Sequence, residues 1–214
     1  SPEHCLLLGH PTPSFALEAD STARANASPE RPFLLYPAQF WPHKNHAATL
    51  DALAELHARD RLFDLVLVGS DKGQEARFSR EVRRRGLDSH VRILGFVTTE
   101  ELIELYRSAH ALLFLSRFGP ENLPPLEAMA LGCPAVVADV PGAREQYGDA
   151  ALIVDPRSPG EVADALESLD EPPVRDRLVA QGLSRARSWT ARDYVQGVLS
   201  FLDEFEIERR LWSA

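Results

Sequence analysis

Lys44, Glu127 and the backbone of Asn122 and Leu123 are the groups in this chain whose types and placement could hold an anionic, hydroxyl-rich ligand. A loop lysine can reach a phosphate oxygen as a point charge, although a lone loop lysine is more often a solvated surface group. Pro124 and Pro125 are expected to start a helix. The N–H groups of Asn122 and Leu123 would then point out of that start, where free donors and the positive end of the helix dipole attract anions. Glu127 falls in the first turn or just after it and could accept two hydrogen bonds from the vicinal hydroxyls of a ribose. Its other reading is a charge that complements the dipole. Gly95-Phe-Val97 would let a planar base approach the backbone, because glycine has no Cβ to obstruct it; an ordinary strand-to-helix turn has the same composition. His43 and His46 flank Lys44, but their spacing and the lack of a nearby Asp or Cys make a poor metal pair. His46 is expected to begin a helix and His43 to turn the loop.

These residues need elements to position them. Strands are expected at Phe33–Ala38, Leu65–Val68, Val91–Leu94, Ala111–Leu115, Ala135–Ala138 and Ala151–Val154. Most are nearly continuous apolar runs, as strands buried on both faces of a parallel sheet must be. Helices are expected at His46–Arg59, Gln74–Arg85, Glu100–Ser108 and Pro125–Leu131, with an entirely helical end. Thr98 and Glu101 have the spacing of a capping box, Ser158-Pro-Gly-Glu161 reads as a second helix start, and Thr190 is expected to cap the last helix, which runs to about Trp212. Trp189, Tyr194, Phe201, Phe205 and Trp212 along that end are expected to pack in the core or between domains. Strand–helix alternation at this spacing implies right-handed crossovers and a Rossmann-like, doubly wound parallel sheet of about six strands. Residues 1–30 read as a connection, with one short strand over Cys5–Gly9 and no consistent period from Pro11 to Pro29. Residues 31–214 form the expected folded domain. In such a sheet ligands bind beyond the carboxyl ends of the strands, and the unusual residues fall in those loops.

Composition excludes several classes. The chain has 214 residues, 44% of them apolar and 26% charged, enough for a substantial core. A net charge of -9 argues against an extended basic surface for nucleic acid. No apolar run approaches the length of a transmembrane helix. Cys5 and Cys133 match no zinc spacing and build no disulfide framework, so a reducing, cytoplasmic setting is expected. There is no Gly-x-Gly-x-x-Gly fingerprint and no Walker A loop, and Ser70 has no nucleophile-elbow context. A nicotinamide-dependent oxidoreductase is therefore disfavoured.

From about Phe33 to Trp212 the chain resembles the C-terminal domain of retaining GT-B glycosyltransferases of family GT4. The resemblance is carried by Tyr36-Pro-Ala-Gln-Phe-Trp-Pro-His-Lys-Asn-His46, Leu67-Val-Gly69, Leu94-Gly-Phe-Val97, Leu123-Pro-Pro-Leu-Glu-Ala-Met-Ala-Leu-Gly-Cys-Pro134, Val140-Pro-Gly-Ala-Arg-Glu145 and Gly148-Asp-Ala-Ala-Leu-Ile-Val-Asp-Pro156, in the family's order. It implies that Lys44 binds a donor diphosphate, Glu127 holds the ribose, the backbone at Val97 meets the base, and Asn122 and Leu123 offer N–H groups to the phosphates. Gly69 is similar to the family's second strand end. The resemblance also implies transfer with retention and no metal or cofactor. Three departures stand out. The first of the family's two glutamates falls at Gly119, with Glu121 two residues later. The usual phosphate-binding arginine falls at Gln39. The acceptor-binding N-terminal domain of a GT-B enzyme is not represented, and residues 1–30 look like the connection arriving from it. A mannosyltransferase-like subset shares the Gln and the Gly-Pro-x-Asn pattern, which points to GDP-mannose rather than a UDP-sugar as donor. The expected acceptor is a glycan or a lipid-linked sugar, with peripheral membrane association in the latter case. A decayed, non-catalytic binding or assembly module is the competing expectation.

Overall fold

The computed structural model describes residues 8–19, 30–118 and 122–212, apart from the side chains of Glu75 and residues 206–212. Six parallel strands carry the core: β1 (Phe33–Pro37), β2 (Asp64–Val68), β3 (Val91–Ile93), β4 (Ala111–Phe114), β5 (Ala135–Ala138) and β6 (Leu152–Val154). Their order across the sheet is β3-β2-β1-β4-β5-β6. Leu34 on β1 pairs with Leu65 of β2 on one side and with Ala111 of β4 on the other. The four central strands β2, β1, β4 and β5 are almost wholly buried, which is why they read as unbroken apolar runs. Each strand lies within a residue or two of its expected place.

The crossovers are helical: α2 (His46–Ala58), α3 (Glu75–Arg84), α4 (Thr99–Ser108), α5 (Leu123–Ala130) and the short α6 (Ala143–Tyr147). They are followed by α7 (Pro159–Ser168), α8 (Pro172–Arg187) and α9 (Ala191–Trp212). The expected caps form. Thr98 accepts from the Glu101 N–H at 3.2 Å while Glu101 accepts from the Thr98 N–H at 2.7 Å. Ser158 accepts from Glu161 at 3.4 Å. The Thr190 N–H donates to Asp193 at 2.8 Å.

Three expectations change. The segment after Pro11 is not irregular throughout, because α1 (Ser14–Glu18) forms in it and buries Ala16 against the domain. A five-residue helix with one buried side chain leaves too short a period to see. Leu8 and Gly9 are not in a strand, and Cys5–Leu7 lie outside the described residues. The aromatics of the C-terminal end add little to the core: Phe201 is half-buried and Phe205 is 45% exposed, alongside exposed Val195, Leu199 and Leu202. Trp189 instead fastens the N-terminal segment, its indole N–H donating to the Gly9 carbonyl at 2.8 Å. The side chain of Trp212 lies outside the described residues.

α5 is held from behind by α8. Leu178, Gly182 and Ala186 are the buried positions of α8, one per turn. A Cβ at Gly182 would stand 3.2 Å from Cγ and 3.3 Å from Cβ of Met129 on α5. Gly182→Val should therefore destabilise the fold by about 1–3 kcal/mol, the usual cost of overpacking. That exceeds the roughly 0.5 kcal/mol that removing a helical glycine returns. Urea unfolding, with its slope unchanged, would measure the difference.

Candidate functional site

The strand order reverses between β1 and β4: crossovers from β1 run one way along the sheet, and those from β4 run the other. The loops leaving these two neighbours part and open a crevice, the place where doubly wound sheets bind ligands. Loop one (Gln39–Asn45) and the described residues of loop four (Leu115–Phe118 and Asn122) border it.

Loop one is fixed from below and from the side. The hydroxyl of Tyr36, a fully buried β1 residue, donates to the Lys44 carbonyl. Pro42–Lys44 form a 3-10 turn, and Asn45 then takes a left-handed conformation at φ 56°. Asn is among the few non-glycine residues that adopt it readily. The buried Asn45 amide donates to the Leu115 carbonyl at 3.1 Å, and the Arg117 N–H donates to the His43 carbonyl at 2.8 Å. With the Ser116 hydroxyl, which donates to the His43 carbonyl at 3.3 Å, three hydrogen bonds among the described residues join loop one to loop four across the crevice floor.

Lys44 is half-buried, its ammonium 5.1 Å from the centre of the Phe114 ring. Burial pulls its pKa below the usual lysine range. Among the described residues no carboxylate pairs with it. This is not the solvated surface lysine of the alternative reading. His46 begins α2, as expected, and stacks on Phe40 with ring centres 4.3 Å apart. Burial lowers its pKa to about 4, so it is neutral near pH 7. His43 turns the loop and meets the edge of Phe118. The two histidines serve different packing roles and do not converge.

On loop four, Ser116 is buried and its hydroxyl donates to the Phe118 carbonyl at 2.7 Å. Gly119 and Glu121 lie outside the described residues, as does Pro120. α5 begins at Leu123, two residues before the expected Pro125, so the prolines occupy its second and third positions. They have no N–H, so of the four orphan donors at this helix start only those of Asn122 and Leu123 remain. The Asn122 side chain makes no cap bond, and its buried Oδ1 has no partner among the described residues. Its carbonyl accepts from the Tyr147 hydroxyl at 3.2 Å.

Glu127 is the fifth residue of α5, just beyond the first turn, which weakens the dipole reading. Its Oε2 accepts from the Tyr106 hydroxyl on α4 at 2.7 Å. Burial raises the Glu127 pKa, and the Tyr106 hydrogen bond partly opposes this.

Across the sheet, Gly69 ends β2 at φ 127°, and a Cβ there would stand 3.0 Å from the Ala38 carbonyl carbon and oxygen. Its N–H donates to the Gly95 carbonyl at 2.7 Å, which joins the chain after β2 to that after β3, and the Phe40 N–H donates to the Ser70 carbonyl at 3.1 Å, which joins it to loop one. Gly95 is left-handed at φ 68° with open space beside it, Phe96 is 80% exposed, and Val97 packs against the core. Gln39 is exposed and accepts from the Trp41 indole at 2.9 Å.

Lys44, Asn122 and Leu123 thus lie at the switch point, with Glu127 one turn down α5. Gly69 and Val97 lie along the same sheet edge. Two neighbours escaped the sequence reading. Tyr106 sits inside a helical pattern, where an aromatic reads as core. Lys72 follows β2, its ammonium 5.7 Å from the Trp41 ring, and only its place in a strand-end loop signals it. A cavity of about 790 Å3 lies beside the crevice. It lies on the β5 side of the α5 start, sharing Ser116 and Asn122 and reaching Gln146, Arg185 and Trp189. No described helix is long and apolar enough to cross a membrane.

A Rossmann-like parallel sheet with a crevice at its switch point places the chain among the doubly wound α/β folds, which seat ligands there. The sequence model "Glycosyl transferases group 1" matches residues 19–185, and the chain belongs to that family. It is 31% identical over 160 residues to the O-antigen chain mannosyltransferase B of Escherichia coli, a match covering 74% of this chain and 42% of that protein. The α,α-trehalose 6-phosphate synthase of Burkholderia multivorans has the same fold at TM-score 0.76 and 16% identity, over 86% of this chain and 44% of that one. An Anabaena protein solved with UDP and glucose superposes at TM-score 0.71 and 18% identity, over 92% and 55%. The chain spans less than half the length of the mannosyltransferase it matches.

Proposed function

We propose that this chain is the donor-binding, C-terminal domain of a retaining hexosyltransferase. It holds a nucleoside diphosphate sugar, GDP-mannose by preference, for transfer to a glycan or lipid-linked acceptor presented by a separate N-terminal domain. The supporting observation is that Lys44, in the loop after β1, and the proline-edged start of α5, which follows the loop after β4 and carries Glu127, both belong to the loops tied together at the sheet switch point. The base would lie against the backbone at Val97, the ribose at Glu127, and the diphosphate between Lys44 and the Asn122 and Leu123 N–H groups. As the bond from sugar to phosphate breaks, negative charge gathers on the departing diphosphate. A half-buried ammonium and preorganised N–H donors aimed there stabilise it more than they stabilise the bound donor. This chemistry calls on no metal or cofactor. Gln39 in place of the family's arginine, and the likeness to a mannosyltransferase, favour GDP-mannose. The likeness to a protein solved with UDP and glucose makes a UDP-sugar the alternative.

By itself the chain is expected to bind donor and transfer little. Lys44→Ala should weaken GDP or UDP binding by about 1–3 kcal/mol, the scale of a lost charge-assisted hydrogen bond, and leave guanosine or uridine binding unchanged. Calorimetry with each pair decides it. Equal losses for nucleotide and nucleoside would remove Lys44 from the phosphate site, and no binding of any of the four would overturn the donor reading. Gly119, at the position of the first family glutamate, favours a second reading as a binding module without transfer. Transfer by the whole protein that disappears on changing Glu127 excludes that reading.

A further inference from the structure

The Glu127 carboxylate is not free to turn. Its Oε2 is taken by the Tyr106 hydroxyl at 2.7 Å, while Oε1 has no donor among the described residues. Tyr106 is itself fully buried, and its hydroxyl also lies 3.4 Å from the Pro124 carbonyl of α5. It stands in the last turns of α4, and the capping box that starts α4 follows directly on the Gly95–Val97 turn. One helix thus begins beside the expected base contact and ends on the expected ribose contact.

We propose that Tyr106 is a positioning residue for nucleoside recognition: by holding Oε2 it fixes the plane of the Glu127 carboxylate and presents Oε1 to the vicinal ribose hydroxyls. The proposal rests on the reading of Glu127 as the ribose contact. A carboxylate can turn about its terminal torsion, and two hydroxyl donors need it in one orientation. The phenol is suited to the task because it stays a donor. Burial and the neighbouring Glu127 charge hold its pKa well above the ordinary tyrosine value. The competing view is that the bond merely fastens α4 to α5. In that case its loss would affect stability and leave ligand selectivity alone.

The test compares wild type with Tyr106→Phe, which keeps the buried ring and removes only the hydroxyl. Calorimetry would measure the affinity of each for GDP and for 2′,3′-dideoxy-GDP, and for the two uridine counterparts. Wild type should prefer the ribose form by about tenfold, the scale of one or two hydrogen bonds to a charged group. In Tyr106→Phe that preference should fall severalfold, with the dideoxy affinity unchanged. A wild type that prefers the ribose form and a variant with the same preference would overturn the positioning role alone. A wild type indifferent to the ribose hydroxyls would overturn the ribose reading as well. Should the variant fail to fold, a crystal structure of the wild type with GDP or UDP decides: Oε2 kept on Tyr106 with Oε1 on the ribose supports the role. A Tyr106 hydroxyl parted from Glu127 in that complex overturns it.

Discussion

Glu127→Gln is expected to weaken GDP or UDP binding by about tenfold and to stabilise the ligand-free protein near neutral pH. Both effects follow from one environment. Burial raises the Glu127 pKa, and the Tyr106 hydroxyl offsets only part of that. A carboxyl whose folded-state pKa lies above its unfolded value favours the fold most below the unfolded value. That contribution is lost as pH rises through the folded value. Ionisation of Glu127 therefore burdens the fold as pH rises, and glutamine removes the burden while still offering Tyr106 an acceptor. Urea unfolding at pH 4 and pH 8 should show the advantage of the variant growing with pH. An advantage that did not change with pH would deny that ionisation is its source. The same raised pKa sets the acid limit of ligand binding. Affinity that needs the carboxylate should fall away, on acidification, at a higher pH than for an ordinary glutamate.

The second large effect is expected at Gly69→Ala. The added Cβ would meet the Ala38 carbonyl carbon and oxygen at 3.0 Å and the Gln39 nitrogen at 3.1 Å, all backbone atoms of the chain leaving β1. Neither partner can swing aside as a flexible side chain would. Backbone strain at φ 127° adds to the clash, for a total of about 2–6 kcal/mol. That is a large part of the 5–15 kcal/mol by which a typical domain is stable, on the order of magnitude known for such folds. Gly95→Ala is the control, since its Cβ would meet nothing within 4 Å. It should cost about 1 kcal/mol, for the left-handed backbone alone. Comparable unfolding midpoints for the two variants would refute the account.

The sheet was legible because its strands are buried on both faces, and a buried strand can be little else than apolar. The helix starts were legible where a cap is local, as at Thr98 and Ser158. What could not be read depends on contacts between residues distant in sequence. Tyr106 meets Glu127 across twenty-one positions, and Gly182 meets Met129 across fifty-three; neither partner announces the other. Gly69 was visible as a strand end, but its necessity comes from the passage of loop one over it. α1 was missed because its one fully buried residue, Ala16, sets no period. The α5 start was placed late because two adjacent prolines suggest a first position, when here they fill the second and third.

The bonds from Asn45 to Leu115 and from Arg117 to His43 have a kinetic consequence. They tie Leu115–Phe118 of loop four to loop one, so that these contacts are made when the protein folds and not when a ligand arrives. An incoming nucleotide then has little chain entropy to remove on this side of its seat. Association should proceed near the rate set by diffusion and orientation, and substitutions in the seat should show chiefly as shorter residence times.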